Sequence, residues 1–242
     1  MLLGALCTVQ TVCLSKLAAI FDNKASRESS FRRIQRSMAQ MVLDLDAVAR
    51  YLKSRISFDG PYTLTMDRTN WKFGEVNINV LVLDIAYDHM LFPILFRLLP
   101  KRGNFNCKER INIMEWFIRL FGRDSIKRLV ADREFVGNEW FKWINDSANQ
   151  YHIRIRDNFW VEDPRTGRKI RAQHLFANLK HGEERILYRI YRICRELCYL
   201  AGTVIKDKTG KPEPQILVSL CRPEEVLPTY KERWTIERCS RA

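Results

Sequence analysis

Two aspartates each follow an apolar run that is typical of a β-strand. Asp67 follows residues 62–66, and Asp132 follows residues 126–131. An acid that ends a strand is held at the edge of a sheet by a rigid scaffold. If the two strands are neighbours, both carboxylates face the same volume, where they repel each other unless a cation neutralises them. Hard oxygen ligands of this kind suit Mg²⁺ or Mn²⁺, so the pair predicts a divalent metal site.

A third acid lies on a predicted helix that begins near Pro228 and runs to the end of the sequence. Five residues share one face of it because their spacing is i, i+3, i+4, i+7 and i+11: Tyr230, Arg233, Trp234, Glu237 and Arg241. Tyrosine and arginine suit phosphate contact, tryptophan can stack on a base, and Glu237 can complete the metal site. For this helix alone, ordinary packing is the alternative interpretation.

Other acids and aromatic residues compete with these candidates. Four acids are assigned to the surface or to local pairing: Glu75, Asp84, Asp88 and Glu134. Trp160 and Trp234 could stack on a base, but we expect a role in the hydrophobic core for each.

The elements that must position the acids form a mixed α/β pattern. Asn106 and Glu109 have the spacing of a capping box, which predicts a helix that Gly122 ends. Gly137 and Asn138 begin another helix. Strands are predicted at residues 62–66, 77–86, 90–99, 126–131 and 151–156. Three strands, a helix, a strand, a helix and a strand predict a mixed sheet with flanking helices.

The segments on either side have a different character. Residues 158–222 favour β structure and are interpreted as an insertion into the domain 59–242, before a last helix at 228–242. Residues 1–58 are predicted to be a small helical region, in which Arg32, Arg33 and Arg36 form a basic helix suited to DNA contact. A solvated surface is the alternative for that helix.

The charge balance limits the class of partner. The 242 residues contain 41 Lys and Arg against 28 Asp and Glu, a formal net charge of +13. This excess favours a polyanion, because cationic side chains displace the counterions condensed on a phosphate backbone. The apolar N-terminus lacks the features of a signal peptide, and no membrane partner is predicted. The seven cysteines lack zinc-ligand spacing and predict buried, reduced thiols in a cytosolic protein.

Taken together, three motifs resemble one family. Asp67 in its context Thr65-Met66-Asp67-Arg68-Thr69, the run Asp132-Arg133-Glu134-Phe135, and the pattern Tyr230-x-x-Arg233-x-x-x-Glu237 resemble the DDE transposases of bacterial insertion sequences that carry the Y-R-E-K signature. The resemblance covers residue 62 to the end. It implies an RNase H-like fold with a β-rich insertion before the helix that carries the glutamate.

The resemblance also implies a chemistry. Asp67, Asp132 and Glu237 would be the catalytic, metal-binding triad, holding two Mg²⁺ or Mn²⁺ ions for in-line phosphoryl transfer. Tyr230 and Arg233 would hold a phosphate at the transposon end, beside Trp234. The partners implied are terminal inverted repeats and target DNA, with a homodimer on the DNA. The implied location is the bacterial cytoplasm, associated with the nucleoid.

The sequence departs from the family pattern at its end. The lysine of the signature should fall seven positions after Glu237, but the sequence ends at Ala242. We therefore expect a C-terminally truncated copy with reduced or no activity. Two other functions stay open: a non-catalytic DNA-binding fragment that inhibits transposition, and a different RNase H-like nuclease such as a junction resolvase.

Overall fold

A computed structural model describes residues 2–21, 25–73, 75–88, 90–99, 106–147, 150–206, 209–220 and 223–231. The chain divides into two compact units, Met1–Leu45 and Asp46–Ala242. In the described part of the chain, no helix is long and apolar enough to cross a membrane.

The first unit is helical. Its helices are α1 (Leu2–Val9), α2 (Leu14–Ile20) and α3 (Arg27–Gln40). Leu17 and Ile34 are buried in its small apolar core. The side chain of Ser26 caps α3 by accepting a hydrogen bond from the amide of Ser29 at 3.2 Å.

The second unit is a mixed α/β structure built on one ten-stranded sheet. Its helices are α4 (Leu45–Ser54), α5 (Cys107–Phe121), α6 (Asn138–Asp146) and α7 (Ala172–Leu175), and residues 226–231 are also helical. Its strands are β1 (Tyr62–Phe73), β2 (Val76–Tyr87), β3 (Met90–Leu99), β4 (Ile126–Ala131), β5 (Tyr151–Ile155), β6 (Trp160–Glu162), β7 (Lys169–Arg171), β8 (Glu184–Ile193), β9 (Glu196–Lys206) and β10 (Pro212–Ser219).

The strand order identifies the fold. The sheet runs β3-β2-β1-β4-β5-β10-β9-β8-β6-β7. β1, β4 and β5 are parallel, whereas β2 is antiparallel to both β1 and β3. The first five strands in the order 3-2-1-4-5, with helices α5 and α6 in the connections, form an RNase H-like fold. The predicted fold class is therefore confirmed.

The two faces of the sheet are covered differently, because successive side chains of a strand point to opposite faces. Leu129 and Ala131 of β4 lie in the large core that α5 and α6 cover, whereas Val130 lies in a second cluster with Leu227 and Tyr230. Helix 226–231 thus packs on the face opposite α5 and α6.

The predicted start and end of α5 are confirmed. Asn106 Oδ1 accepts a hydrogen bond from the amide of Glu109, and the Glu109 carboxylate accepts one from the amide of Asn106, which is a complete capping box. Gly122 follows the helix with a φ of 81°, which favours glycine. The apolar face of α5 buries Ile113 and Phe117.

The segment 158–222 continues the sheet. β10 pairs antiparallel with β5, and β9 and β8 follow outward. The strand beginning at Tyr62 extends through Asp67 to Phe73, so the prediction that it ends at Asp67 was wrong. The reason is its hairpin with β2, which pairs with β1 along its whole length.

The cysteines fit the prediction only in part. The five described cysteines form no disulfide, and Cys198 is buried. Burial raises the pKa of Cys198, so its thiol stays protonated. Cys7 and Cys13 are exposed, against the expectation of burial. Cys221 and Cys239 lie outside the described residues.

Candidate active site

The structure brings Asp67 and Asp132 together on two neighbouring strands. β1 and β4 are parallel and pair Met66 with Ala131, so the two aspartates follow paired residues. Neighbouring strands lie about 4.8 Å apart. Met66 and Ala131 are both buried in the large core, and strand alternation therefore turns Asp67 to the opposite face, where helix 226–231 packs.

Backbone amides orient the two carboxylates. Asp67 Oδ1 accepts a hydrogen bond from the amide of Arg68 at 2.7 Å, and Asp132 Oδ1 accepts one from the amide of Arg133 at 2.8 Å. In the described part of the chain, neither aspartate takes part in an ion pair. Two adjacent carboxylates without a cationic side chain are a site that a divalent cation can neutralise.

Tyr230 contacts Asp132 directly. Its hydroxyl donates a hydrogen bond to Asp132 Oδ1 at 3.4 Å. The ring is buried, with 1% of its surface exposed, between Val130 and the apolar residues of its own helix. The structure thus shows Tyr230 beside the carboxylate, while its predicted contact with a DNA phosphate stays a prediction.

Arg128 fixes the first turns of the same helix. This buried residue of β4 donates hydrogen bonds from Nη1 to Thr229 Oγ1 and from Nη2 to Glu225 Oε2, both at 2.8 Å. Arg128 and Val130 lie on one face of β4 because they are two residues apart. Together with Asp132 they form a row along which helix 226–231 docks.

His152 on β5 completes this network. Its Nε2 lies 3.2 Å from Arg128 Nη1 and its Nδ1 lies 3.1 Å from Ser219 Oγ. Burial, and then the charge of Arg128, lower the pKa of His152 to about 4. A neutral imidazole can accept from Arg128 at Nε2 while it donates to Ser219 at Nδ1.

Glu134 is a third carboxylate at the edge of the site. It forms an ion pair with Arg68, whose Nε lies 2.9 Å from Glu134 Oε2. Burial raises the pKa of Glu134; the charge of Arg68 opposes this, and the charges of Asp67 and Asp132 add to it. Arg68 follows Asp67 within β1, so strand alternation turns its side chain, with its ion pair to Glu134, toward the face that α5 and α6 cover. The sequence predicts a surface position or local pairing for Glu134. It does not identify Arg68 as the partner, because the two residues lie 66 positions apart in the chain.

Three predicted site residues, Glu237, Arg233 and Trp234, lie outside the described residues. Among the residues that are described, no group of three His, Cys, Asp or Glu side chains could hold a metal ion. Asp67 and Asp132 nevertheless fit a divalent cation, because they supply adjacent hard oxygen donors without a competing cation.

Two further residues differ from their predicted positions. Asp84 is buried on β2, where its Oδ2 accepts a hydrogen bond from Thr65 Oγ1 at 3.3 Å. It therefore has the predicted local partner but does not lie at the surface. The core role expected for Trp160 was wrong, since its side chain is 51% exposed. The Arg171 guanidinium lies 3.9 Å from the centroid of the Trp160 ring.

The basic helix of the first unit is α3. Arg32, Arg33 and Arg36 are all exposed on it, and Arg32 pairs with Glu28 at 3.1 Å. Exposed arginines on a helix are compatible with binding to a DNA backbone. Their role in DNA binding stays a prediction.

The sequence matches the model of one family over residues 57–241, and that family is described as a transposase DDE domain. The matched range contains Asp67, Asp132, Glu134 and Glu237. A search of curated proteins finds no match.

Several solved structures resemble the chain at low sequence identity. The piggyBac transposase synaptic complex with hairpin DNA shares 12% identity at a TM-score of 0.44, covering 94% of this chain and 56% of that one. Ciona intestinalis endonuclease V in complex with DNA shares 12% identity at a TM-score of 0.41, covering 83% of this chain and 88% of that one. The HTLV-2 integrase catalytic core in complex with magnesium shares 14% identity at a TM-score of 0.31, covering 39% of this chain and 61% of that one. The chain thus spans less than two thirds of the integrase and of the piggyBac transposase.

Proposed function

The chain belongs to the transposase DDE domain family, and on that premise we propose that it catalyses metal-dependent DNA cleavage and strand transfer at the ends of an insertion sequence. The observation that carries the proposal is the pairing of β1 with β4, which sets Asp67 beside Asp132 without a cationic partner among the described residues. A net charge of +13 supports a DNA partner.

The family uses divalent metal ions, and Asp67 and Asp132 are the described residues that would hold two Mg²⁺ or Mn²⁺ ions. When bound, the ions would activate the attacking oxygen and neutralise charge on the phosphate. The Arg68 and Arg133 amides and the Tyr230 hydroxyl fix the carboxylates before a cation binds. Such pre-orientation lowers the cost of reorganisation during the reaction.

The reaction consists of two phosphoryl transfers. In the first, a water oxygen forms a bond to phosphorus and loses a proton, while the bond from phosphorus to the 3′ oxygen breaks and that oxygen takes up a proton to give a free 3′ hydroxyl. In the second, that hydroxyl loses its proton and forms a bond to a target-strand phosphorus, while the bond from that phosphorus to its 3′ oxygen breaks and the released oxygen takes up a proton. Neither step needs a covalent bond between protein and DNA.

The remaining functional predictions depend on residues that the structure does not describe or on partners that it does not contain. Glu237 is proposed as the third metal ligand, because a helix continuing from Tyr230 would carry Glu237, seven residues on, on the same face. Arg233 and Trp234 are proposed to contact the transposon end. A homodimer on DNA and a location in the bacterial cytoplasm at the nucleoid belong to the same proposal.

The test is cleavage of DNA that spans the coding locus of the chain and its flanks, with Mg²⁺ or Mn²⁺ present. We expect nicks at the element ends, no nicks with Asp132→Ala, and equal DNA binding by both proteins. Binding without nicking by the unaltered chain would favour the inhibitory fragment and the predicted low activity. Cutting of branched DNA regardless of the ends would favour a junction resolvase.

A further inference from the structure

Glu213, near the start of β10, accepts hydrogen bonds from two arginines. Its Oε1 lies 2.7 Å from Nη2 of Arg154, on β5, and 3.2 Å from Nη1 of Arg133, in the turn after β4. One carboxylate therefore serves two guanidinium groups. The cluster keeps an excess of positive charge, which favours the binding of an anion.

This cluster lies on the face of the sheet on which helix 226–231 packs. Arg154 pairs with Leu217 of β10, and Leu217 lies in the same buried cluster as Tyr230 of that helix. Glu213 lies four residues before Leu217 on β10, so strand alternation turns it to that face as well. Asp132 shares this face, and the arginine cluster thus lies on the side of the sheet that carries the candidate metal ligands.

Arg154 is also next to Asp132 across two neighbouring strands. β4 and β5 are parallel and pair Ala131 with Ile153, so Asp132 and Arg154 occupy the following position of each chain segment. Arg133 directly follows Asp132 in the chain. A DNA strand bound at the acids would therefore pass close to both arginines.

The donors of Arg154 are only partly used. Its side chain is 7% exposed, and its Nε is buried with no hydrogen-bond partner among the described residues. The Nε and Nη2 donors of a guanidinium point in parallel and suit two oxygens of one phosphate or carboxylate group. Glu213 Oε1 accepts from Nη2, which leaves the second donor of this pair without an acceptor.

The Glu213 carboxylate can leave the arginines without a rearrangement of the sheet. Pro212 and Pro214 flank Glu213, and the ring of each proline fixes its own φ angle. The Glu213 side chain is nevertheless 33% exposed, and that of Arg133 is 51% exposed. Rotation of the Glu213 side chain into solvent therefore opens the space between the two guanidinium groups.

We propose that Arg133 and Arg154 form a binding site for a backbone phosphate of DNA, and that the Glu213 carboxylate occupies this site in the absence of DNA. The inference rests on the proposed function, since it takes DNA as the ligand. The carboxylate keeps the buried Arg154 paired in the free protein, and a phosphate oxygen pair replaces it. Glu213 is thus an autoinhibitory contact that lowers DNA affinity by competition.

The test measures binding of the full chain to a blunt DNA duplex by fluorescence anisotropy, in EDTA and over a range of salt concentrations. Glu213→Gln removes the competing charge, while the Gln carbonyl oxygen can still accept a hydrogen bond from Arg154. We expect this variant to bind DNA about 10-fold more tightly, with a salt dependence steeper by about one phosphate contact.

A matched control separates this competition from a general gain of positive charge. Glu162 is another partly buried acid of the β-rich segment, and it forms an ion pair with Arg192. Glu162→Gln changes the net charge equally, and its DNA affinity should stay within about 2-fold of the wild type. Equal tightening by Glu162→Gln and Glu213→Gln would overturn the proposal.

Arg133→Gln tests the site from its exposed side, where a substitution should not impair folding. The DNA affinity of this variant should fall about 5-fold. In this background Glu213→Gln should tighten binding by no more than about 3-fold, because Arg154 alone remains to hold the phosphate. Independent charges would instead give additive effects, and the full 10-fold gain in the Arg133→Gln background would refute the shared site.

The same titrations distinguish failure of this inference from failure of the proposed function. They contain no divalent cation and no cleavage step, so they do not depend on the metal site. If the unaltered chain does not bind DNA even at low salt, the proposed function and the inference both fail. If it binds DNA and Glu213→Gln binds equally well, only the phosphate site and its inhibition by Glu213 are refuted.

Discussion

The hydroxyl of Tyr230 donates a hydrogen bond to Asp132 Oδ1, which links the helix at 226–231 to an acid that directly follows β4. Tyr230→Phe removes this bond but keeps the buried ring. We expect cleavage to slow about 10-fold, as for loss of a group that orients a metal ligand, with DNA affinity unchanged. The measurements are single-turnover cleavage and DNA binding by fluorescence anisotropy. Reduced DNA affinity instead would support the predicted phosphate contact.

Arg128 should contribute more to stability than a surface arginine. Arg128→Met removes the hydrogen bonds to Thr229 in helix 226–231 and to Glu225 just before it, together with the contact to His152, and we expect the free energy of unfolding to fall by about 2 kcal/mol. The matched control is Arg119→Met, since Arg119 is 59% exposed and pairs with Asp46; its cost should stay below about 1 kcal/mol. Urea denaturation of both variants measures the difference. Equal losses would argue against a special role for Arg128.

The low pKa of His152 makes stability depend on pH. The pKa is about 4 in the folded chain and 6.5 for a free histidine side chain. Between pH 4 and 6.5 the unfolded chain therefore binds a proton that the folded chain does not. The neutral His152 therefore contributes about 3 kcal/mol to the free energy of unfolding above pH 6.5, and this contribution is lost as the pH falls toward 4. His152→Gln cannot bind that proton. Its free energy of unfolding should therefore fall less steeply over this interval than that of the wild type, as urea denaturation at several pH values would show.

The two aspartates should destabilise the metal-free protein by mutual repulsion. Asp132→Asn removes one charge, and we expect a higher melting temperature than the wild type without metal. Added Mn²⁺ should raise the melting temperature of the wild type and leave that of the variant unchanged. Differential scanning calorimetry with and without Mn²⁺ measures both effects. A variant that Mn²⁺ stabilises as strongly as the wild type would exclude Asp132 as a ligand.

Close packing at Gly202 gives a prediction about the β-rich segment. A Cβ at this position of β9 would lie 2.6 Å from Cδ1 of Phe176, so Gly202→Ala should cost about 1–3 kcal/mol. The control is Gly137→Ala, where a Cβ would meet nothing within 4 Å and the backbone is extended. Adding Phe176→Leu to Gly202→Ala should recover part of the loss. Urea denaturation of the three variants tests the contact.

Local sequence patterns predicted most of the elements. The bounds of β3 and β4 agree with the prediction, and the spacing of Asn106 and Glu109 located the start of α5. These features depend on neighbouring residues, which a sequence displays directly. The prediction that Asp67 and Asp132 lie together was conditional on adjacent strands, and the parallel pairing of β1 with β4 meets that condition.

The predictions that were wrong or incomplete concern the exposure and the partners of individual side chains, which depend on the tertiary structure. The exposure of Trp160 follows from where β6 lies in the sheet, which the type of residue cannot show. Arg68, the partner of Glu134, becomes its neighbour only because β1 pairs with β4 across a long stretch of chain. Thr65, the partner of Asp84, lies opposite it only in the register of the β1–β2 hairpin. The burial of Tyr230 likewise depends on which face of the sheet its helix covers.

The pairing of β10 with β5 has a mechanical consequence. Four residue pairs, from Ile216 with Ile155 to Ser219 with His152, join the β-rich segment to the strand beside β4. Backbone hydrogen bonds therefore connect β8 and β9, through β10 and β5, to β4, which ends directly before Asp132. A force on β8 or β9 would therefore reach Asp132 through directly paired strands.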